Sequence, residues 1–143
     1  MINLISVDPG KEKCGIVLVD KESGIVLEGR VVHSSSLIST IIEFKDNFSI
    51  EFVLLGNGTT SDFWESEIKN KCLIETKLFE EKNTTLRARD RYWELWPKNK
   101  LLNLIPNGLI IPNENLDAVS ALILIEDFLN IKFTWPNNKN FKI

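Results

Sequence analysis

The chain has 143 residues, of which 43% are hydrophobic and 26% are charged, as expected for a single globular domain with a substantial core. Its formal net charge of -3 excludes a strong overall attraction to nucleic acid or anionic membranes, so any such binding surface must be local. No apolar run approaches the roughly 18 residues of a membrane-spanning helix. The first residues lack the basic stretch and cleavage site of a signal peptide. We therefore expect a soluble, cytoplasmic protein that does not contact membranes.

Turn signals divide the first part of the chain into three predicted strands. The apolar runs cover residues 2–8, 14–20 and 24–32. Pro9-Gly10 and Ser23-Gly24 separate them, which predicts an antiparallel meander. Cys14 in the second strand, like Cys72 further on, has neither CxxC spacing nor a neighbouring histidine, so we expect buried free thiols.

Helical and strand patterns alternate over the rest of the chain. Three serines at residues 34–36 offer N-caps to a helix whose apolar stripe extends to about residue 46. Further strands are predicted at 51–55 and 72–79, further helices at about 60–70, 84–96 and 115–130, and a long connection at 97–113. Residues 1–131 are thus predicted to form one domain. The tail, residues 132–143, has no periodicity, and we expect it to be loosely held.

The order of these elements is that of the ribonuclease H-like fold, an α/β fold with a five-stranded mixed sheet and helices on both faces. A three-strand antiparallel meander is extended there by two parallel strands. Three segments resemble the signatures of the YqgF-type branch: Val7-Asp8-Pro9-Gly10 with Cys14-Gly15-Ile16, residues 79–85, and residues 117–121. That branch comprises proteins regarded as Holliday-junction resolvases, some of them implicated in trimming pre-16S ribosomal RNA. The resemblance covers about residues 3–130.

The resemblance implies that Asp8, Glu81 and Asp117 are the catalytic residues and the ligands of two Mg²⁺ or Mn²⁺ ions. Such ions prefer clustered oxygen ligands, and a pair about 4 Å apart neutralises the scissile phosphate and supplies hydroxide. Two strand ends and the first turn of a helix can meet at one sheet edge. If the acids converge, their repulsion without metal should raise the pKa of at least one carboxyl group.

Three positions depart from the family pattern. Glu80 stands where Asp is usual, and Lys82 stands where Arg is usual. Lysine cannot make the two-pronged phosphate contact of arginine. Ala118 stands where the subgroup often has a second acid, so a spare ligand for a second metal is missing.

Each of the three acids also has a structural interpretation. An Asp in Asp-Pro-Gly is common turn chemistry. Glu81 is compatible with a solvated strand end, and Asp117 with stabilisation of a helix N-terminus. Only the joint arrangement, in the right order along the chain, favours metal ligation.

The predicted helix after Glu81 is the best candidate for a nucleic-acid contact. Residues 82–100 contain six basic residues and two acids, a local positive excess that can bind phosphates. The predicted contacts are Lys82, Thr85, Arg87 and Arg91. Pairing of the arginines with Asp90 and Glu94 is the alternative. Tyr92, Trp93 and Trp96 fit core packing better than base stacking.

The loop after the fourth predicted strand reads Gly56-Asn57-Gly58-Thr59-Thr60-Ser61. Its glycines let the backbone approach a phosphate, and the helix beyond can take an anion. We therefore predict that Gly56, Gly58 and Thr59 contact nucleic acid, although a tight turn with a Thr or Ser cap explains the loop equally well. The only histidine, His33, is expected at the surface.

Together these features predict a metal-dependent nuclease that hydrolyses phosphodiester bonds in structured nucleic acid, either branched DNA or precursor ribosomal RNA. A resolvase needs two active sites, so a homodimer is compatible with this prediction. The alternative is a non-catalytic nucleic-acid or protein-binding module on a degenerate ribonuclease H-like fold, which Ala118 favours. ATPases of the actin-like and sugar-kinase type have a similar first strand and turn, but they need two such domains.

Overall fold

The computed structural model describes residues 2–80, 84–96 and 116–136. Within them, five strands form one mixed sheet in the order β3-β2-β1-β4-β5. The strands are β1 Asn3–Asp8, β2 Lys13–Asp20, β3 Ile25–His33, β4 Ile50–Gly56 and β5 Thr76–Phe79. Strands β1, β2 and β3 pair antiparallel, whereas β4 pairs parallel with both β1 and β5. The predicted sheet, a meander extended by two parallel strands, is confirmed.

Helices cover both faces of the sheet. They are a short 3-10 helix at Ser34–Ser36, α1 Leu37–Asn47, α2 Ser61–Cys72, α3 Thr84–Leu95 and α4 Asp117–Leu129. Helices α1 and α2 bury Ile41 and Ile68 against one face, and α4 buries Leu122 against the other. No helix among the described residues is long and apolar enough to cross a membrane.

Helix α4 is buried on nearly all sides because it lies between the sheet and α3. Every residue from Ala118 to Glu126 is buried, which explains its apolar sequence. The hydroxyl of Ser6 in β1 donates a 2.6 Å hydrogen bond to the Ala121 carbonyl. On the outer side, Ala88 and Tyr92 of α3 pack against α4.

The segment after α4 is firmly held, so the prediction of a loosely held tail is wrong for residues 132–136. Phe133 and Trp135 are each only 3% exposed. Thr134 forms a parallel bridge with Ile25 at the start of β3, and its carbonyl accepts a 2.9 Å hydrogen bond from the Val26 amide. A single bridge and two buried aromatic rings leave no periodicity for sequence analysis to detect. Residues 137–143 lie outside the described part of the chain.

Two local predictions also differ from the structure. The strand predicted at 72–79 begins only at Thr76, because Cys72 still belongs to α2 and Leu73 ends that helix with a left-handed φ of 56°. The serines predicted as caps form no side-chain cap on α1; Ser34 donates instead to the carbonyls of Lys11 and Glu12. Both cysteines are buried free thiols, as predicted. The predicted connection at 97–113 falls outside the described residues.

Candidate active site

Asp8 ends β1 at the edge of the sheet that we call the carboxyl edge, where β1, β4 and β5 all end. It pairs across the antiparallel ladder with Gly15 of β2. Because side chains alternate along a strand, Asp8 lies on the same face as Leu4 and Ser6, which pack against α4. The carboxyl group of Asp8 therefore stands between the sheet and the beginning of α4.

The first residue of α4, Asp117, lies directly over Gly15. A Cβ atom built on Gly15 would overlap the Asp117 carbonyl and would come within 2.7 Å of the Ala118 nitrogen. Only glycine lets the helix begin so close to β2. Since Gly15 is also the cross-strand partner of Asp8, this contact brings two of the three predicted ligands to one place.

The electrostatics of the two carboxyl groups reflect this proximity. The pKa of Asp8 is raised from 3.8 to about 6, mainly by burial and to a smaller extent by the nearby charge of Asp117. Burial also raises the pKa of Asp117, while the charge of Lys13 lowers it. The predicted rise of at least one carboxyl pKa is present, but burial contributes more to it than repulsion does. At neutral pH the site thus holds partly dehydrated negative charge, which a bound cation would relieve.

A cavity of about 190 Å³ connects Asp8 to the glycine-rich loop. Gly56, Asn57 and Gly58 line it, as does Thr84 at the beginning of α3. The loop is held because the Asn57 amide donates a 3.0 Å hydrogen bond to the carbonyl of Phe79. Thr59 is exposed in the same loop. A backbone region suited to an anion therefore opens beside the predicted acid.

The third predicted ligand, Glu81, lies outside the described residues, as does Lys82. Strand β5 ends at Phe79, paired with Gly56, so the chain reaches residue 80 at the carboxyl edge. The described part of the chain contains no group of three or more His, Cys, Asp or Glu residues able to hold a metal. Metal ligation by the three acids therefore stays a prediction.

The predicted phosphate contacts Arg87 and Arg91 lie against the far part of α4. Arg87 makes two hydrogen bonds, 2.6 and 2.9 Å, to the carboxylate of Asp127. That acid is ten residues beyond Asp117, about 15 Å along a helix. The side chain of Thr85 is outside the described atoms. Phosphate binding by these residues also stays a prediction.

Arg91 has a more buried environment than Arg87. Its guanidinium donates to both oxygens of Glu126, at 3.0 and 2.7 Å, and to the Phe133 carbonyl at 2.9 Å. Glu94 accepts a further bond of 3.3 Å. The Arg91 side chain is 11% exposed and that of Glu126 is 6% exposed. This network fastens α3 and the segment after α4 to α4.

The aromatic residues of α3 are packing residues. Tyr92 is buried and contacts the rings of Trp93 and Trp96 at centroid distances of 4.9 and 5.1 Å. Trp96 also contacts Trp135, with centroids 5.1 Å apart. The interpretation of these rings as core packing is confirmed.

The sequence pattern did not assign Lys13 or Gly15 a place in the site, although Gly15 lies in one of the signature segments. Lys13 begins β2 at the carboxyl edge, and its charge acts on Asp117. Gly15 is the cross-strand partner of Asp8. Lys13 lies two residues before Gly15 and therefore on the same face of the sheet. The strand register, counted from Asp8 through the turn into β2, would have predicted that both residues lie near Asp8.

Comparisons with known proteins identify the fold but no family. No protein-family model matches the sequence, and no curated protein matches it. The structure of RuvC from Thermus thermophilus superposes with a TM-score of 0.53 at 13% identity, covering 90% of this chain and 94% of that chain. T. thermophilus RuvC in complex with a Holliday junction substrate gives 0.51 at 14% identity, over 87% and 90% of the two chains. The chain therefore has the ribonuclease H-like fold.

Proposed function

We propose that the protein is a metal-dependent nuclease that hydrolyses phosphodiester bonds in structured nucleic acid. The observation that carries this proposal is the convergence of Asp8 and Asp117 at the carboxyl edge, across Gly15. Among the described residues, no group donates a hydrogen bond to either carboxylate, although both are partly buried. Carboxylates whose pKa is raised and whose oxygens lack donors are suited to a cation.

The donor set fits a hard divalent cation. Asp8, Asp117 and, in this proposal, Glu81 supply only oxygen ligands, the kind that Mg²⁺ and Mn²⁺ prefer. When bound, such ions stabilise negative charge on the phosphate and lower the pKa of a bound water. Ala118 has no side-chain oxygen, and its methyl group is fully buried in the apolar cluster between α4 and the sheet. The proposal therefore depends on three acids rather than four.

The remaining groups of the site bind and orient the substrate in this proposal. The backbone amides around Gly56 and Gly58, with Thr59, contact a phosphate in the cavity beside Asp8, and Lys82, Thr85 and Arg87 extend the contact along α3. Arg91 is less accessible to a phosphate than Arg87, because its side chain is 11% exposed rather than 43%, and it also holds α3 on α4 through Glu126.

Two features bear on the kind of substrate. The sequence signatures resemble those of the YqgF-type branch, and one of the RuvC structures was solved with a Holliday junction substrate. We propose branched DNA and precursor ribosomal RNA as the substrates to compare, acted on by a homodimer in the case of a junction. A non-catalytic binding module is the second candidate, favoured by the buried alanine at 118.

Cleavage of a defined substrate panel tests the proposal. Four-way DNA junctions, single-stranded DNA and structured precursor RNA are incubated with Mg²⁺ or Mn²⁺ and the wild type, Asp8→Asn or Glu81→Gln. Asp46→Asn is the matched control, since this acid is exposed on α1. We expect losses above about 100-fold for the site variants, because even outer-shell partners of metal sites cost 10- to 100-fold. Activity that survives chelator or Asp8→Asn contradicts the nuclease proposal.

A further inference from the structure

We propose that Lys13 and His33 form a second phosphate-binding site, the Lys13–His33 patch, that holds the sugar–phosphate backbone of nucleic acid on the β3 side of Asp8. This inference rests on the proposed function, because it assumes that nucleic acid is the ligand. It adds the path that the nucleic-acid strand follows across the carboxyl edge. It is formed by residues outside the three acids, the glycine-rich loop and α3.

The register of the sheet places the two residues together. Lys13 of β2 is the cross-strand partner of His33 of β3. Two residues further along β2, Gly15 meets the backbone of Asp117, and its partner Val31 packs in the cluster under α4. Side chains two residues apart share a face. Lys13 and His33 therefore lie side by side on the face that carries Asp8 and α4.

Both side chains are exposed and available. Lys13 and His33 are exposed, and in the part of the chain that the structure describes neither forms an ion pair. The charge of Lys13 reaches the active site, since it lowers the pKa of Asp117. An exposed ammonium that forms no ion pair but lies near Asp8 and Asp117 is suited to a phosphate that approaches these two acids.

The backbone under the patch is held in place. The Ser34 amide donates a 2.8 Å hydrogen bond to the Glu12 carbonyl, and its hydroxyl donates to the carbonyls of Lys11 and Glu12 at 2.9 and 3.3 Å. These bonds tie the turn before β2 to the residue that follows His33. A preformed site loses less entropy when a ligand binds.

The patch and the glycine-rich loop flank Asp8 on opposite sides. The cavity with Gly56 and Gly58 lies toward β4, whereas the patch lies on β2 and β3. Two strand spacings of about 4.8 Å and an offset of two residues along the strands separate Asp8 from His33, so the two residues are about 12 Å apart. The patch thus contacts a phosphate next to the scissile one. In this proposal the nucleic-acid strand runs from the glycine-rich loop, past Asp8, to the end of β3.

Equilibrium binding in chelator tests the patch without cleavage. Fluorescence anisotropy is measured with a labelled four-way DNA junction and a labelled RNA hairpin over a range of salt, for Lys13→Gln, His33→Gln and Lys13→Arg. Lys69→Gln is the matched control, because Lys69 is exposed in the last turn of α2. Melting temperatures confirm that each variant is folded.

We expect Lys13→Gln to weaken binding about tenfold and to reduce the slope of log K against log salt by about 0.7 to 0.9, the value of one phosphate contact. His33→Gln weakens binding less, Lys13→Arg keeps the wild-type slope, and Lys69→Gln changes neither quantity. The two labelled ligands show whether DNA, RNA or both use the patch.

The patch is overturned if Lys13→Gln and His33→Gln bind like Lys69→Gln with an unchanged slope, or if the wild type binds neither ligand. Cleavage assays separate this result from failure of the nuclease. If Asp8→Asn abolishes cleavage while the patch variants bind normally, the nuclease proposal is supported and the Lys13–His33 patch is rejected. If nothing is cleaved but Lys13→Gln weakens binding, the patch stands as the surface of a binding module.

Discussion

Gly15 and Asp117 meet with no room for a side chain between them: a Cβ atom on Gly15 would overlap the Asp117 carbonyl. Gly15 is also the ladder partner of Asp8. One glycine therefore determines how closely the N-terminus of α4 approaches the end of β1, and with it the separation of two candidate ligands.

Gly15→Ala should disturb both stability and the site. The added methyl group meets main-chain atoms of Asp117 and Ala118, which cannot rotate away as a side chain can, so we expect a loss of about 1 to 3 kcal/mol in the free energy of unfolding. Urea denaturation measures it. The control for stability is Gly58→Ala, where a Cβ atom meets nothing within 4 Å. Equal stability of the two variants would mean that α4 does not rest on Gly15.

The raised pKa of Asp8 predicts a pH-dependent stability in chelator. The folded-state value of about 6 exceeds the ordinary 3.8, so between these pH values the folded protein binds more protons than the unfolded chain. Stability therefore falls as pH rises through this window. Asp8→Asn removes the buried charge, and it should be more stable than the wild type at pH 7.5 by up to about 3 kcal/mol.

That difference should vanish near pH 4, where the Asp8 carboxyl group of the wild type is neutral. Urea denaturation at pH 4, 5, 6 and 7.5 measures it. Asp46→Asn changes an exposed carboxyl group and serves as the control without this pH dependence. A wild type that is as stable as Asp8→Asn at pH 7.5 would show that the Asp8 carboxylate is not destabilising.

Divalent cations should stabilise the folded wild type. A ligand at 100 times its dissociation constant adds about 2.7 kcal/mol to the free energy of unfolding. We expect Mg²⁺ or Mn²⁺ to raise the melting temperature of the wild type and of Asp46→Asn, but not of Asp8→Asn or Asp117→Asn. Differential scanning fluorimetry measures the shift. Equal shifts in all four proteins would place the cation elsewhere.

The buried pair of Arg91 and Glu126 should matter more for stability than the exposed pair of Arg87 and Asp127. Arg91→Ala removes the cation that pairs with the Glu126 carboxylate, whose side chain is only 6% exposed. An unpaired buried charge lowers the free energy of unfolding by about 3 to 5 kcal/mol. Arg87 is 43% exposed, and exposed pairs contribute about 1 kcal/mol or less. Urea denaturation of both alanine variants measures the contrast. Similar losses would contradict a structural role specific to Arg91.

Much of the fold is predictable because its strands are bounded by clear turn signals. In β1, Leu4 and Ile5 pack in clusters on opposite faces of the sheet, so a buried strand appears as a continuous apolar run. The same property explains the error at β5. Cys72 and Ile74 pack in the core beneath α1 and α2, and an apolar helix end cannot be distinguished by pattern from the start of a strand.

The site was only partly predictable. A family resemblance and the order of elements predict Asp8 and Asp117 as ligands, whereas their approach to each other depends on how α4 docks on Gly15. The pattern places Arg91 on a helix, but its partner Glu126 lies 35 residues away, in the helix predicted at about 115–130. No local pattern reports a pairing over that separation.

The bridge between Thr134 and Ile25 has a consequence for synthesis of the chain. Strand β3 is made early, yet the segment that covers its first residues is synthesised only after α4. The hydrogen bond from Ser6 to Ala121 spans 115 residues. Contacts of this range slow folding, and a nascent sheet with an uncovered edge strand is prone to pair with other chains. The first residues of β3 therefore reach their native surroundings only once residue 134 has been synthesised.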